Sequence, residues 1–277
     1  MPGWDGERYA EVATLQHELG RRFAEALRPV AGTGGQPARV VDAGCGDGIV
    51  TRMIAALPWV GDVVGFDPSP LMIEKALAVE GAPAIGAAPA AEGTRSEGVS
   101  GIVFEAGDVT TFVAEDPFDL AVSLNALHWV PDSAAALAHL RDALRPGGRL
   151  VAQFVSEGAR PSLEDVAQRV ATGPAWAAHF DGVAAPHVHR TAEEWRALAA
   201  GAGLAVSGAE VSDLAWDFGS ASAFEAWCTV GFTAWTEHLP ADAHTAFVRE
   251  VTAAYAEVAG SDHVFRFQQL RLEAARA

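Results

Sequence analysis

Residues 38–57, ARVVDAGCGDGIVTRMIAAL, constrain the fold more than any other stretch. A short apolar strand runs directly into Gly44, Gly46 and Gly48, and a helix through Ile49, Met53, Ile54 and Leu57 follows. Strand, glycine turn and helix make half of a βα unit. Glycines in the turn permit backbone angles and close approaches that a Cβ would block, so a ligand can come near the strand end. The following apolar stretch, VGDVVGFDPSP, ends its strand at Asp67, 25 positions after Asp42. A carboxylate there can accept both hydroxyls of a ribose.

The alternation continues. Pro68-Ser69-Pro70 starts a helix carrying Leu71, Met72 and Leu77. GIVFEAGDV reads as a strand ending in Gly107 and Asp108, and FDLAVSLNAL supplies another from Leu120 to Leu124. A helix over 132–145 puts Leu137, Leu140 and Leu144 on one side, and Pro146-Gly147-Gly148 turns the chain into the strand RLVAQFV. Five strands alternating with helices specify an α/β, doubly wound, mostly parallel Rossmann-like sheet with helices on both faces. Before it, residues 9–28 place Leu15, Leu19, Phe23 and Leu27 at four-residue steps, an amphipathic helix stopped by Pro29 and the glycines of AGTGGQP. Residues 81–100, rich in Ala, Gly, Pro and Ser, read as a surface excursion.

After Val155 the rhythm changes. Helical segments are expected over 161–181, from Thr191 (with Glu194 completing a capping box), and over 220–239 and 241–258. The strands AVSGAEVSDLAWDF and VFRFQQLRLEAA bring the expected sheet to seven. The organisation expected is one domain over 1–277, with an N-terminal helical cover over 1–30 and helical cap insertions over 156–190 and 219–262.

Composition narrows the partners. With 19 Lys+Arg against 36 Asp+Glu the formal charge is −17, which argues against duplex nucleic acid or an anionic membrane as a ligand recognised over a broad basic surface. No apolar run approaches the roughly 18 residues that span a bilayer, and the N-terminus shows no signal core. Cys45 and Cys228, far apart, form neither a disulfide framework nor a metal spacing, so a cytoplasmic protein is expected. A nucleotide-dependent oxidoreductase is the first enzyme class to weigh. The glycines, however, are spaced GxGxG, with Ile49 where a dinucleotide fingerprint has its last glycine, and no phosphate-loop GxxxxGK is present.

Five segments in order, VVDAGCGDG, VVGFDPSPLMIEKA, FEAGDV, FDLAVSLNALHWVPD and LRDALRPGGRLVAQF, resemble the class I S-adenosylmethionine-dependent methyltransferases. LHWV and the terminal FRFQQLRLEA are similar to the small-molecule branch that includes trans-aconitate-like methyltransferases. The resemblance implies S-adenosylmethionine as cofactor and a small organic methyl acceptor, with the alternative of a protein that binds the cofactor without transferring its methyl. It implies that Gly44, Cys45 and Gly46 pass close to the methionine part and that Asp42 helps hold the amino group. Asp67 binds the ribose in that reading, with Pro68 beside the adenosine, Asp108 and the backbone of Val109 at the adenine, and Asn125 beside the transferred methyl.

For the acceptor, His128 is the candidate catalytic base, its ordinary titration range lying near neutrality, with a hydrogen-bonded structural histidine as the equal alternative. Tyr9, Trp129, Trp176, His187, Arg190 and Trp227 are the further substrate candidates: aromatic rings offer contact area and Arg190 a carboxylate fork. Phe224, Trp227 and Trp235 are spaced to share one helix face instead. His187 and His189 alternate on an extended segment, but no third ligand follows at a recognisable spacing, so no metal is expected. Oligomeric state is not legible.

Overall fold

The computed structural model describes residues 14–78 and 101–277. The expectations for Tyr9, for the first 13 residues of the N-terminal cover and for 81–100 lie outside the described residues. The elements in order are α1 (Thr14–Ala26), β1 (Ala38–Ala43), α2 (Ile49–Ala55), β2 (Val60–Asp67), α3 (Pro70–Ala78), β3 (Ile102–Ala106), β4 (Phe118–Leu124) and α4 (Ser133–Ala143). Next come β5 (Leu144–Val155), α5 (Leu163–Ala171), α6 (Ala192–Gly201), β6 (Leu204–Asp217), α7 (Ala221–Gly231), α8 (Thr233–Thr236), α9 (His244–Ala259) and β7 (Val264–Arg276). The seven strands form one sheet in the order β3-β2-β1-β4-β5-β7-β6, and the first five pair in parallel.

The chain divides into two compact units. One, residues 17–154, 192–210 and 270–277, holds the body of the sheet. Because strand side chains alternate between faces, Val41, Ala43, Ala121, Leu150 and Ala152 enter one core with Leu137 and Leu140 of α4 and Trp195 and Ala199 of α6. Val40, Leu120, Val122 and Val151 enter another with Phe23, Ala24 and Leu27 near α1 and Ile54 of α2. The sheet is thus covered on both faces, as the near-continuous apolar runs of its strands require. Leu15, Leu19, Phe23 and Leu27, the stripe seen in the sequence, are all buried.

The second unit comprises, among the described residues, 14–16, 155–191 and 211–269. Here two expected helices prove shorter. The segment 161–181 is α5 followed, after Gly173-Pro174, by a single 3₁₀ turn over Ala177–His179. Residues 220–239 break at Phe232, whose backbone leaves the helical region (φ −93°, ψ 22°), giving α7 and α8. Phe224 and Trp235 are buried on separate helices, and Trp227 is half-buried, so the three do not share one helix face. Trp235 instead donates its Nε1–H to Gln168 Oε1 at 3.1 Å.

α5 begins with a capping box. Ser162 Oγ accepts the Asp165 N–H at 3.0 Å, and Asp165 Oδ2 accepts the Ser162 N–H at 2.8 Å. Ser162→Ala is expected to cost about 1 kcal/mol of stability, the usual cost of losing such a cap. Chemical denaturation of both proteins checks this, and an unchanged midpoint would show that the cap contributes nothing.

Candidate active site

The carboxyl ends of β1, β2 and β4 meet where open α/β sheets bind ligands. Register puts Asp42 beside Gly65 of β2 and Val122 of β4, so the segments that follow all three strands emerge together. Gly44 and Cys45 both donate their N–H to Phe66 O, at 2.8 and 3.0 Å, which ties the glycine turn to the end of β2. Gly44, Gly46 and Gly48 have φ of 78°, 54° and 75°, a left-handed conformation that suits glycine. Their surroundings differ. A Cβ on Gly44 would stand 2.3 Å from Ala126 Cβ, whereas one on Gly46 would meet no described residue within 4 Å. Among the described residues, Gly46 therefore borders open space.

Asp67, at the end of β2, is tied to the same glycine turn. Its Oδ2 accepts the Gly46 N–H at 3.0 Å and its Oδ1 the Ser69 N–H at 2.9 Å. Both oxygens are held by backbone amides, so the carboxylate is oriented before any ligand arrives. Pro68 next to it is exposed. One strand further, Asp108 is exposed. Its Oδ1 accepts both the N–H (2.8 Å) and the hydroxyl (2.7 Å) of Thr110, and these bonds hold its carboxyl below the usual range. The Val109 side chain is buried in the core, which leaves its backbone as the part that a ligand can meet.

Asn125, just past β4, is the one non-glycine residue with positive φ (53°) among the described residues. Its N–H is fixed to Gln153 O at 2.7 Å. Sparsely populated backbone conformations of this kind cost free energy and cluster at ligand sites.

Asp42 is buried and accepts the Thr51 hydroxyl at 2.7 Å. Burial pushes its carboxyl up to about 6; the Thr51 hydrogen bond draws it part of the way back and the Asp67 charge adds to the rise. An unfolded Asp titrates near 3.9, so between about pH 4 and 6 the native protein binds the extra proton and stability falls as pH rises through that window. Asp42→Asn keeps an acceptor for Thr51 and removes the charge. It is expected to raise the melting temperature by several degrees at about pH 7.5 and to leave it near the parent value at about pH 4. Thermal melts at both pH values check this, and no gain at the higher pH would contradict it. Cys45, also buried, has its thiol pushed up by burial and by the charges of Asp42 and Asp67, so it stays neutral.

His128 lies in the 3₁₀ turn Leu127–Trp129 and is 2% exposed. Its ring lies 5.0 Å from that of the half-buried Trp129 and 6.4 Å, nearly parallel, from Phe154. Such burial suits a side chain that positions its neighbours better than one that exchanges protons with solvent.

The remaining substrate candidates lie in the second unit. Trp176 packs edge-on to Phe247 and donates to Glu250 Oε2 at 2.7 Å. Trp227 packs against Phe218 and Phe265. The Arg190 carbonyl accepts the Glu157 N–H at 3.0 Å. His187 and His189 converge on Asp165, a third metal-competent side chain 22 and 24 positions earlier that local spacing does not reveal. Burial alone would push Asp165 up, but the hydrogen bonds from His187, His189 and the Ser162 N–H outweigh it and hold its carboxyl well below the usual range.

The family model of a methyltransferase domain matches residues 15–207. Over 162 residues the chain is 37% identical to trans-aconitate 2-methyltransferase of Streptomyces avermitilis, a match covering 58% of this chain and 54% of that protein. The chain thus spans about half the length of this curated relative. Among solved structures, the YcgJ protein of Bacillus subtilis superposes with a TM-score of 0.61 at 19% identity, over 94% of this chain and 98% of that one. The S-adenosyl-L-methionine complex of phosphoethanolamine N-methyltransferase 2 of Haemonchus contortus gives 0.55 at 15% identity, over 95% and 52%. Both likenesses concern the fold. The domain match, running from the first helix into β6, takes in well over half of the sequence, and the chain belongs to the methyltransferase-domain family in its class I, S-adenosylmethionine-dependent form.

Proposed function

We propose that the protein transfers a methyl group from S-adenosylmethionine to a small organic acceptor by direct displacement. The observation that carries this reading is the Asp67 carboxylate held by the Gly46 and Ser69 amides at the end of β2, in a turn where no described residue lies within 4 Å of a Cβ placed on Gly46. A carboxylate with both oxygens oriented suits a pair of vicinal hydroxyls, and the room beside Gly46 suits a ligand lying against backbone. When bound, the cofactor supplies a methyl group already activated by its sulfonium, so neither a covalent enzyme intermediate nor a strong base is required.

The chain's own residues then bind and orient. Asp67 holds the ribose, Asp108 and the Val109 backbone meet the adenine, and Gly44, Cys45, Gly46 and Pro68 line the path between. Asp42, at a carboxyl poised near neutrality, favours a cationic amino group nearby. Asn125 and Trp129 bound the reacting end, and His128, its ring 5.0 Å from that of Trp129, positions Trp129. Trp176, Arg190 and Trp227 are the residues we assign to the acceptor, whereas the His187 ring is engaged by Asp165. Alignment of acceptor, methyl and sulfur is the main catalytic contribution expected.

The charge of −17 favours a small molecule over nucleic acid, and two buried free thiols fit a cytoplasmic place. No helix among the described residues is long and apolar enough to cross a membrane. The acceptor is left at the class of small organic molecule. The Arg160 guanidinium is engaged by Asp213 rather than held ready for a polycarboxylate.

Incubation with methyl-labelled S-adenosylmethionine and a panel of small hydroxy, amino and carboxylic acids, trans-aconitate among them, tests the activity. Label appearing in an acceptor together with S-adenosylhomocysteine is the expected result. Cofactor binding with no transfer to any member of a broad panel would favour a binding protein instead.

A further inference from the structure

His187 and His189 stand two residues apart on an irregular segment, and both rings turn to the same atom, Asp165 Oδ1. His187 Nε2 lies 3.2 Å from it and His189 Nδ1 3.0 Å, and one ligand atom from each of the three residues falls within 4.8 Å of the other two. The imidazoles are held in place. Their side chains are each 6% exposed, the two rings lie 4.4 Å apart, and His187 packs 5.9 Å from Trp235. Asp165 is fixed from the other side, because its Oδ2 belongs to the capping box of α5. Ser162 Oγ lies 3.3 Å from His189 Nδ1 at the edge of the cluster.

A shallow recess of about 580 Å³, largely open to solvent, lies against the three residues and is lined besides by Glu157, Arg160 and Val188. Asp165 is the accessible member, with 39% of its side chain exposed. Around a tetrahedral ion with ligand bonds of about 2.0–2.1 Å, neighbouring ligand atoms lie about 3.3 Å apart. Two of the three edges here are already close to that length. The donor set, two imidazole nitrogens and one carboxylate oxygen, suits first-row transition cations, whereas calcium and magnesium favour oxygen alone.

We propose that Asp165, His187 and His189 form a three-ligand site for a divalent transition cation of the zinc type, its remaining coordination position directed to the recess. Three protein ligands leave room for water or for an oxygen of a small molecule. The site is separate from the residues assigned to S-adenosylmethionine and does not rest on methyl transfer. Its test therefore needs neither cofactor nor activity.

The experiment is a titration of tag-free, chelator-treated protein with cobalt(II), followed by visible absorption, with zinc then added to displace the cobalt. Saturation at one ion per chain, with bands of low coordination number that zinc abolishes, is the expected result. His187→Ala and His189→Ala are each expected to weaken cobalt binding at least tenfold, and the surface controls His238→Ala and His263→Ala to leave it unchanged. Asp165→Asn keeps an acceptor for the Ser162 N–H and hence the helix cap, so its expected tenfold loss decides the matter if a histidine variant fails to fold. Absence of saturable cobalt absorption in the parent, or parent-like affinity in Asp165→Asn and the folded histidine variants, would overturn the proposal and leave the cluster a hydrogen-bonded brace.

Discussion

Asp67→Ala is expected to lower S-adenosylmethionine affinity about 100-fold while the protein stays folded. Hydrogen bonds to a charged group are worth about 1.5–3 kcal/mol each, and a ribose offers two hydroxyls to this carboxylate. Loss of about 2.7 kcal/mol corresponds to two decades in the dissociation constant. The substitution also frees the amides of Gly46 and Ser69, which Asp67 holds at 3.0 and 2.9 Å, so the glycine turn loosens along with the contact. Asp67→Asn keeps one carbonyl acceptor and is expected to fall between parent and Ala. Calorimetric titration of the three proteins, with thermal melts to verify folding, checks the order; affinity of the Ala variant within threefold of the parent would remove Asp67 from the cofactor site.

The glycine turn supplies the second large effect, and it separates stability from binding. At Gly44 a methyl group would clash with Ala126 at 2.3 Å in a backbone with φ of 78°. Left-handed strain of about 1–2 kcal/mol and overpacking of about 1–3 kcal/mol together make Gly44→Ala destabilising by about 3 kcal/mol. At about 2–4 °C per kcal/mol for a chain approaching this size, the melting temperature should drop by about 6–12 °C. Gly46→Ala meets no described residue within 4 Å, so its stability loss is expected to be near the strain alone, about 1 kcal/mol. The added methyl then enters the region assigned to the ligand, and cofactor affinity should fall about tenfold or more. Melts and titrations on both variants give two numbers each. Equal effects of the two substitutions on stability and binding would contradict the assignment of that open space to the cofactor.

The parts of this protein that are legible in the sequence are those set by local periodicity. Continuous apolar runs such as Val40-Val41 and Leu120–Val122 must be buried on both faces, and the glycines after Asp42 mark a turn with three left-handed residues, at Gly44, Gly46 and Gly48. Asp67 is predictable for the same reason: it ends the next strand, and parallel register brings it back to the turn. What local pattern does not contain is side-chain convergence across the chain. Asp165 reaches His187 and His189 only because α5 and the segment beyond Pro186 fold onto each other. The aromatic spacing of Phe224, Trp227 and Trp235 imitates a single helical face, since nothing between Gly231 and Thr233 announces the break that Phe232 introduces. The Ser162–Asp165 capping box escapes a template that asks for Glu or Gln at the third position, yet Asp closes it here. His128 shows a further limit: a histidine after β4 suggests proton transfer by residue type alone, and only its burial against Phe154 turns the weight toward positioning.

The central claim, that the carboxyl ends of β1, β2 and β4 form an S-adenosylmethionine site, is tested most directly by titration calorimetry on carefully cofactor-stripped protein, with nicotinamide dinucleotides as parallel controls. Saturable binding of S-adenosylmethionine at one per chain, with none of the dinucleotides, is the predicted result; a folded protein that ignores S-adenosylmethionine, or binds a dinucleotide in its place, would contradict it.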